Sequence, residues 1–191
     1  MAVGAFNSLT YLAGNVVYNW AAADVEFTMA SLNNWMTPTS FKHLRLHFRD
    51  QHTAGTNQMG STYNIVLNGD TTTTNYYETY LYTTTGGSSL SMGQANQADI
   101  MWRGGYFYRP SGTENTYGTK TLNIMDFYNW NSSTLKKIVR QTRVQMDKAA
   151  NSYGGVSTLM WNSTAAITTV KFDASSNYIR NGCTFDWYGF N

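Results

Sequence analysis

Cysteine, proline and charge are all scarce in this chain. A single cysteine, Cys183, among 191 residues excludes an intrachain disulfide and a multi-cysteine metal site, so packing alone must hold the fold. The two prolines, Pro38 and Pro110, and the absence of a Gly/Ser-rich stretch of linker length argue for one continuous domain. Charged residues make up 13%, about half the usual share of a globular domain. The 13 basic and 11 acidic residues form no cluster, which speaks against a nucleic-acid footprint built on phosphate neutralisation. No run of about eighteen apolar residues occurs, and no basic segment leads into an apolar one at the start, so the chain reads as soluble, unprocessed and without a membrane partner.

What fills the vacant charged positions is 26 Thr, 19 Asn and 15 Ser. These side chains favour strands and turns. Apolar and polar residues alternate through Leu44, Leu46 and Phe48 against His43, Arg45, His47 and Arg49, the period-2 pattern of a half-buried strand. Similar runs predict strands at 63–67, 76–82, 99–108, 121–128, 135–146, 156–161, 166–172 and 184–190. The stretch from Leu135 to Ala150 is the one place where a helix competes, but Arg140, Thr142, Val144 and Met146 alternate better than they fit a 3.6-residue period. Turns are expected at Asn68-Gly69-Asp70, Gly86-Gly87, Gly104-Gly105, Asn129 to Ser133, Gly154-Gly155, Ser175-Ser176-Asn177 and Asn181-Gly182. The fold class is therefore all-β, with residues 24–191 as its main domain. Residues 1–23, broken at Gly14-Asn15, form an arm or hairpin whose aromatics, Tyr11, Tyr18 and Trp20, need something to cover them. These three are the candidate partner contacts.

Chemistry finds little to build on. The serine-nucleophile elbow, the H-E-x-x-H zinc signature, the phosphate loop and the dinucleotide fingerprint are all absent. His43 and His47 on one strand stand about 13 Å apart, four rises of about 3.3 Å, too far to share an ion, so no metal site is expected. Asp50 and His52 with Thr53 or Ser61 would make a base, an orienter and a nucleophile only by a chance of folding. The acids Glu26, Glu78, Asp126 and Asp186 supply material for a carboxylate pair, and outward-facing strand positions explain them equally well. Trp102, Tyr106 and Tyr108, or Tyr76, Tyr77 and Tyr80, would serve as a sugar-stacking platform, or as core and interface residues. The expectation is a protein without a cofactor and without turnover. Trp161 and Phe185 are expected in the core.

Two stretches carry a resemblance. The first holds Leu44, Leu46 and Arg49 on a basic strand, then Asn68-Gly69-Asp70 at a turn, then Tyr76, Tyr77 and Tyr80 on a tyrosine-rich strand. The second holds Trp161, Ala166-Ile167, Val170, Gly182 and the closing Trp187-Tyr188-Gly189-Phe190, where the pattern otherwise has an aliphatic Leu-Tyr-Gly-Ile. Together, over about residues 41–190, they resemble a family of phage virion structural proteins. The resemblance implies an antiparallel β-sandwich of jelly-roll type over residues 24–191, located in the virion. It also implies a role as a capsid decoration or cement subunit, with a tail or fibre component that binds a host receptor or glycan as the alternative. The implied partners are the major capsid protein or tail proteins and further copies of the chain, a trimer by analogy with threefold capsid positions.

Overall fold

The computed structural model describes residues 9–16, 24–32, 40–51, 64–84, 89–96, 120–146, 152–173 and 183–191. Among these residues there are eleven strands: β1 (Thr10–Val16), β2 (Asp24–Thr28), β3 (His43–Gln51), β4 (Asn64–Leu67), β5 (Tyr76–Thr84), β6 (Ser89–Asn96), β7 (Lys120–Tyr128), β8 (Lys137–Met146), β9 (Ser152–Trp161), β10 (Thr169–Asp173) and β11 (Thr184–Phe190). They build an eight-stranded sheet in the order β1-β11-β3-β7-β8-β9-β5-β6 and a three-stranded sheet in the order β2-β10-β4, with all pairings antiparallel. The protein is an all-β sandwich. Among the described residues no α-helix occurs, and residues 137–146 are strand, as the alternation predicts.

The two sheets meet over β11 and β3, and again at β5, where the Leu67 amide of β4 donates to the Tyr76 hydroxyl. Phe27 of β2 and Phe172 of β10 close on Phe48, Phe185 and Trp187, with Phe48 and Phe185 stacked at 4.5 Å and Phe27 against Trp187 at 5.5 Å. Leu44, Leu46, Met125, Phe127, Val139, Ile65, Leu67 and Val170 fill the space around them, and Cys183 is buried beside this layer in sequence. Each large aromatic withdraws about 150–250 Å² from water, a gross gain of roughly 4–6 kcal/mol before ordering costs. The alternation in β3 is confirmed: Leu44, Leu46 and Phe48 are buried, and the odd-numbered residues face away.

Several boundaries differ from expectation for one physical reason. Gly154-Gly155 lies inside β9 rather than at a turn, because a Cβ on Gly155 would stand 2.8 Å from Tyr82 Cβ and 2.9 Å from the Leu81 carbonyl. Gly14-Asn15 likewise runs straight through β1, where a Cβ on Gly14 would meet the Tyr11 hydroxyl and the Asp186 carboxylate. These glycines permit close approach and do not turn the chain. The segment 9–16 is accordingly an edge strand of the main sheet, paired with β11 from Thr10↔Gly189 to Val16↔Thr184. β2 and β6 are elements that the alternation does not predict. The expected strand 99–108 lies outside the described residues, as do the expected turns at Gly86-Gly87, Gly104-Gly105, 175–177 and Asn181-Gly182.

Asn68-Gly69-Asp70 is a turn, with φ of 53° at Asn68, 69° at Gly69 and the Asp70 amide donating to the Leu67 carbonyl at 2.9 Å. Two successive positive φ values suit asparagine and glycine. A methyl group at Gly69 would meet nothing within 4 Å, so Gly69→Ala isolates the backbone cost. It should lower stability by about 1 kcal/mol, read as a lower denaturant midpoint at unchanged slope.

Candidate functional site

Five of the residues singled out by the resemblance, Asn68, Asp70, Tyr76, Trp161 and Ala166, converge on one knot. Trp161 at the end of β9 donates from Nε1 to Asp70 Oδ2 at 2.7 Å. Asp70 also accepts from Asn75 Nδ2 at 2.9 Å and from the Thr72 amide at 2.9 Å. Burial pushes the Asp70 carboxyl up, but the hydrogen bonds from Trp161, Asn75 and Thr72 outweigh it and hold the group below the usual carboxylate range. The Tyr76 hydroxyl donates to the Asp70 carbonyl and accepts from the Leu67 amide, and its ring stacks on Trp161 at 6.5 Å. Burial, the largest cause, pushes that phenol up to about 12, so it stays a neutral donor. Asn68 completes the knot: its Nδ2 donates to the Ala166 carbonyl, and its Oδ1 accepts from the Thr168 and Thr169 amides. These contacts join residues about a hundred positions apart in sequence. They are a brace for the sandwich, since every group is engaged by another part of the chain.

The outer face of the large sheet, turned away from the small one, has a different character. Towards β1 it is aromatic and charged. Arg45 binds Asp126 by two bonds, Nε to Oδ1 at 2.6 Å and Nη2 to Oδ2 at 2.9 Å, and lies 5.5 Å from the Phe190 ring centre. Arg49 pairs with Asp186. The Asp126 hydrogen bond, the largest cause, raises the Arg45 pKa further. His43 sits between Tyr128 and Phe190, and its Nδ1 accepts from the Asn129 amide at 3.2 Å. His47 lies 4.8 Å from the Tyr188 ring. Burial, helped by Lys42 for His43 and by Arg45 for His47, holds both imidazoles below their ordinary value, so both are neutral at pH 7. Each histidine is occupied by a different ring, and among the described residues no group of three metal-ligating side chains occurs. Tyr11 stands 58% exposed against Tyr188 at 5.6 Å. Tyr18 and Trp20 lie outside the described residues, as do His52, Thr53, Ser61, Trp102, Tyr106 and Tyr108; the Asp50 side chain is likewise not described.

On part of β7, β8, β9, β5 and β6 the usual polarity is inverted, although the same strands also bury Met125, Phe127, Val139, Trp161 and Tyr76 inward and carry one outward polar row of Asp126, Arg140, Thr158 and Thr79. The registers place Ile124, Thr142, Val156, Leu81 and Met92 in one outward row. Tyr128, Ile138, Met160 and Tyr77 make a second, and Leu122 and Val144 stand side by side in a third. Val144 is 53%, Val156 41% and Met92 77% exposed. The inward face of the same strands carries Asn123, Gln141, Arg143, Ser157 and Glu78, all buried. Gln141 Nε2 donates to Asn123 Oδ1 at 2.6 Å, and Ser157 Oγ donates to Gln141 Oε1 at 3.3 Å. Burial pushes the Arg143 guanidinium down to about 10, still charged at neutral pH. These bonds tie β7 to β8 and β8 to β9, and a slip of one residue would turn them outward.

The four acids weighed as a carboxylate pair are thus separated. Glu26 is exposed on the small sheet and Glu78 faces inward, while Asp126 and Asp186 each answer an arginine on β3. Of the tyrosines weighed as a platform, Tyr76 is buried in the brace, Tyr77 faces outward, and Tyr80 faces inward beside Tyr82 at 5.5 Å. Sequence reasoning missed the inverted half of the sheet. Its signal is present in β8, where Gln141 and Arg143 alternate with Thr142 and Val144, but period 2 alone does not say which set is inside.

No family model, no curated protein and no solved structure matches this chain. Among the described residues no helix is long and apolar enough to cross a membrane.

Proposed function

We propose that this chain is a non-enzymatic structural protein of a bacteriophage virion, a capsid decoration or cement subunit that works by adhering to other virion polypeptides. The observation that carries the adhesive part is the inverted half-sheet: outward Leu122, Ile138, Val144, Val156, Leu81 and Met92 over inward Asn123, Gln141 and Ser157. A lone domain gains nothing by placing aliphatics in water and amides in its interior, whereas a subunit whose outer face is covered on assembly gains the full hydrophobic term. The low charge of the surface supports the same reading, because few ions have to be desolvated when such a face is buried. The virion setting rests on the resemblance carried by Asn68-Gly69-Asp70, Tyr76, Trp161 and Ala166-Ile167. The jelly-roll form belongs to that resemblance as well, and the repeated passage of the chain between the two sheets, at β2, β4 and β10, is consistent with it.

One observation favours a second reading, a tail or fibre component that binds a receptor or glycan. The exposed Tyr11 ring beside Tyr188 and the Arg49–Asp186 pair join an aromatic face to polar groups, as sugar recognition requires. Imaging of intact particles separates the two. In virions of the phage that encodes the chain, density for it is expected on the outer capsid surface in many copies. Density confined to the tail overturns decoration and favours the second reading, and virions wholly lacking the chain overturn both.

A further inference from the structure

We infer that the inverted half-sheet is a self-association surface, which packs face to face on the same surface of a second copy of this chain. The inference rests on the adhesive reading above and names its partner.

Size is the first argument. Five strands at about 4.8 Å give a width of about 24 Å, and the six rises of about 3.3 Å from Leu122 to Tyr128 give a length of about 20 Å. The footprint is therefore roughly 500 Å² per copy and 1,000 Å² for a pair, which reaches the lower bound of a specific interface. Self-complementarity is the second. Among the described outward side chains of these strands only Asp126 and Arg140 are charged, and Asp126 is already bound by Arg45. A twofold axis running along β9 places Val156 against its counterpart, Leu81 over Thr142, Met92 over Ile124 and Ile138 over Tyr77. The exposed Arg140 then lies over Thr79, so no like charges oppose each other. Two twisted sheets stacked in this way make the aligned packing that β-sandwiches use internally, about 10 Å apart. A closed twofold contact between identical faces also leaves no face open to continue into a fibre.

The test is the mass of the full chain in solution, by sedimentation equilibrium or light scattering over a micromolar concentration series. The wild type should approach twice the 21.5 kDa chain mass. Val156→Asp and, separately, Met92→Lys each bury an unpaired charge at the contact and should weaken association by about 100-fold or more. Lys171→Ala, on the small sheet, should leave the mass unchanged. Thermal unfolding of each variant shows whether the monomer is still folded; if Val156→Asp fails to fold, Met92→Lys, at an almost fully exposed position, decides.

A wild type that stays at the single-chain mass, or settles at three times it, overturns the inference. So does a double mass that both variants retain. Co-sedimentation with virions separates this result from the broader reading: a wild-type monomer that binds particles and loses them on Val156→Asp places a different virion protein on this face. A wild-type dimer that the variants dissociate upholds self-association whether or not either form binds particles.

Discussion

Replacing Trp161 by alanine should lower the unfolding free energy by about 3–5 kcal/mol, the range for deleting a large buried aromatic. Trp161 is 3% exposed, stacks on Tyr76 and donates to Asp70. The substitution therefore opens a cavity and removes a donor from a carboxylate at once. Trp161→Phe reduces the first effect and keeps the second. It keeps a six-membered ring in place and loses the pyrrole part with its N–H, so a cost of about 1.5 kcal/mol, the lower end for a hydrogen bond to a charged group, is the minimum expected. A loss below about 1 kcal/mol for Trp161→Ala would place the residue outside the core and contradict the register of β9.

The same brace has a pH signature. Asp70 is held below the ordinary carboxylate range in the folded chain, so its contribution to stability is complete above the unfolded value of about 4 and disappears as pH falls through the depressed folded value. Asp70→Asn should flatten that part of the acid limb of the stability curve. An acid limb identical to that of the wild type would show that the carboxylate is not held in the way the hydrogen bonds indicate.

The second large effect belongs to Lys137. Its side chain is fully buried at the start of β8, and Nζ donates to the carbonyls of Ser132 at 2.6 Å, Leu135 at 2.5 Å and Thr164 at 3.1 Å. Burial pulls its pKa below that of a free lysine. The ammonium serves as a clasp that ties the turn after β7 to the segment after β9. Lys137→Met keeps the stem and strands three carbonyls, which at about 1 kcal/mol or more each should cost roughly 3 kcal/mol. Lys137→Arg should not rescue it, because a planar guanidinium fork cannot aim at three carbonyls gathered around one point. Chemical denaturation of the three proteins checks both statements, and a near-wild-type Lys137→Met would show that water readily satisfies the released carbonyls.

How legible was this molecule in its residues? In β3 the reading was complete, because one face is aliphatic and aromatic and the other carries two histidines and two arginines; nothing but a half-buried strand fits. At Asn68-Gly69 the chemistry of positive φ left one interpretation. At Gly154-Gly155 and Gly14 it did not, since glycine serves turns and close approaches alike, and only the neighbouring β5 strand at Leu81 and Tyr82 and the Tyr11 side chain decide between them. The polar brace was half legible: its residues stood out in the resemblance, but that Asp70 receives Trp161, some ninety positions later, is a fact of three dimensions.

The amino-acid order by itself determined the class of fold. Strand periodicity and the single cysteine are properties of the sequence alone, and they suffice to predict strands and to exclude an intrachain disulfide scaffold. The tertiary structure alone decided which side of each strand is the inside. The small sheet packs its rings on β11 and β3, whose inward face is apolar, while β7, β8 and β9 also carry Asn123, Gln141, Arg143 and Ser157 inward and Leu122, Ile138, Val144 and Val156 outward. Alternation has the same period whichever face is buried, so only the placement of the second sheet turns a pattern into an orientation, and with it into a surface able to bind.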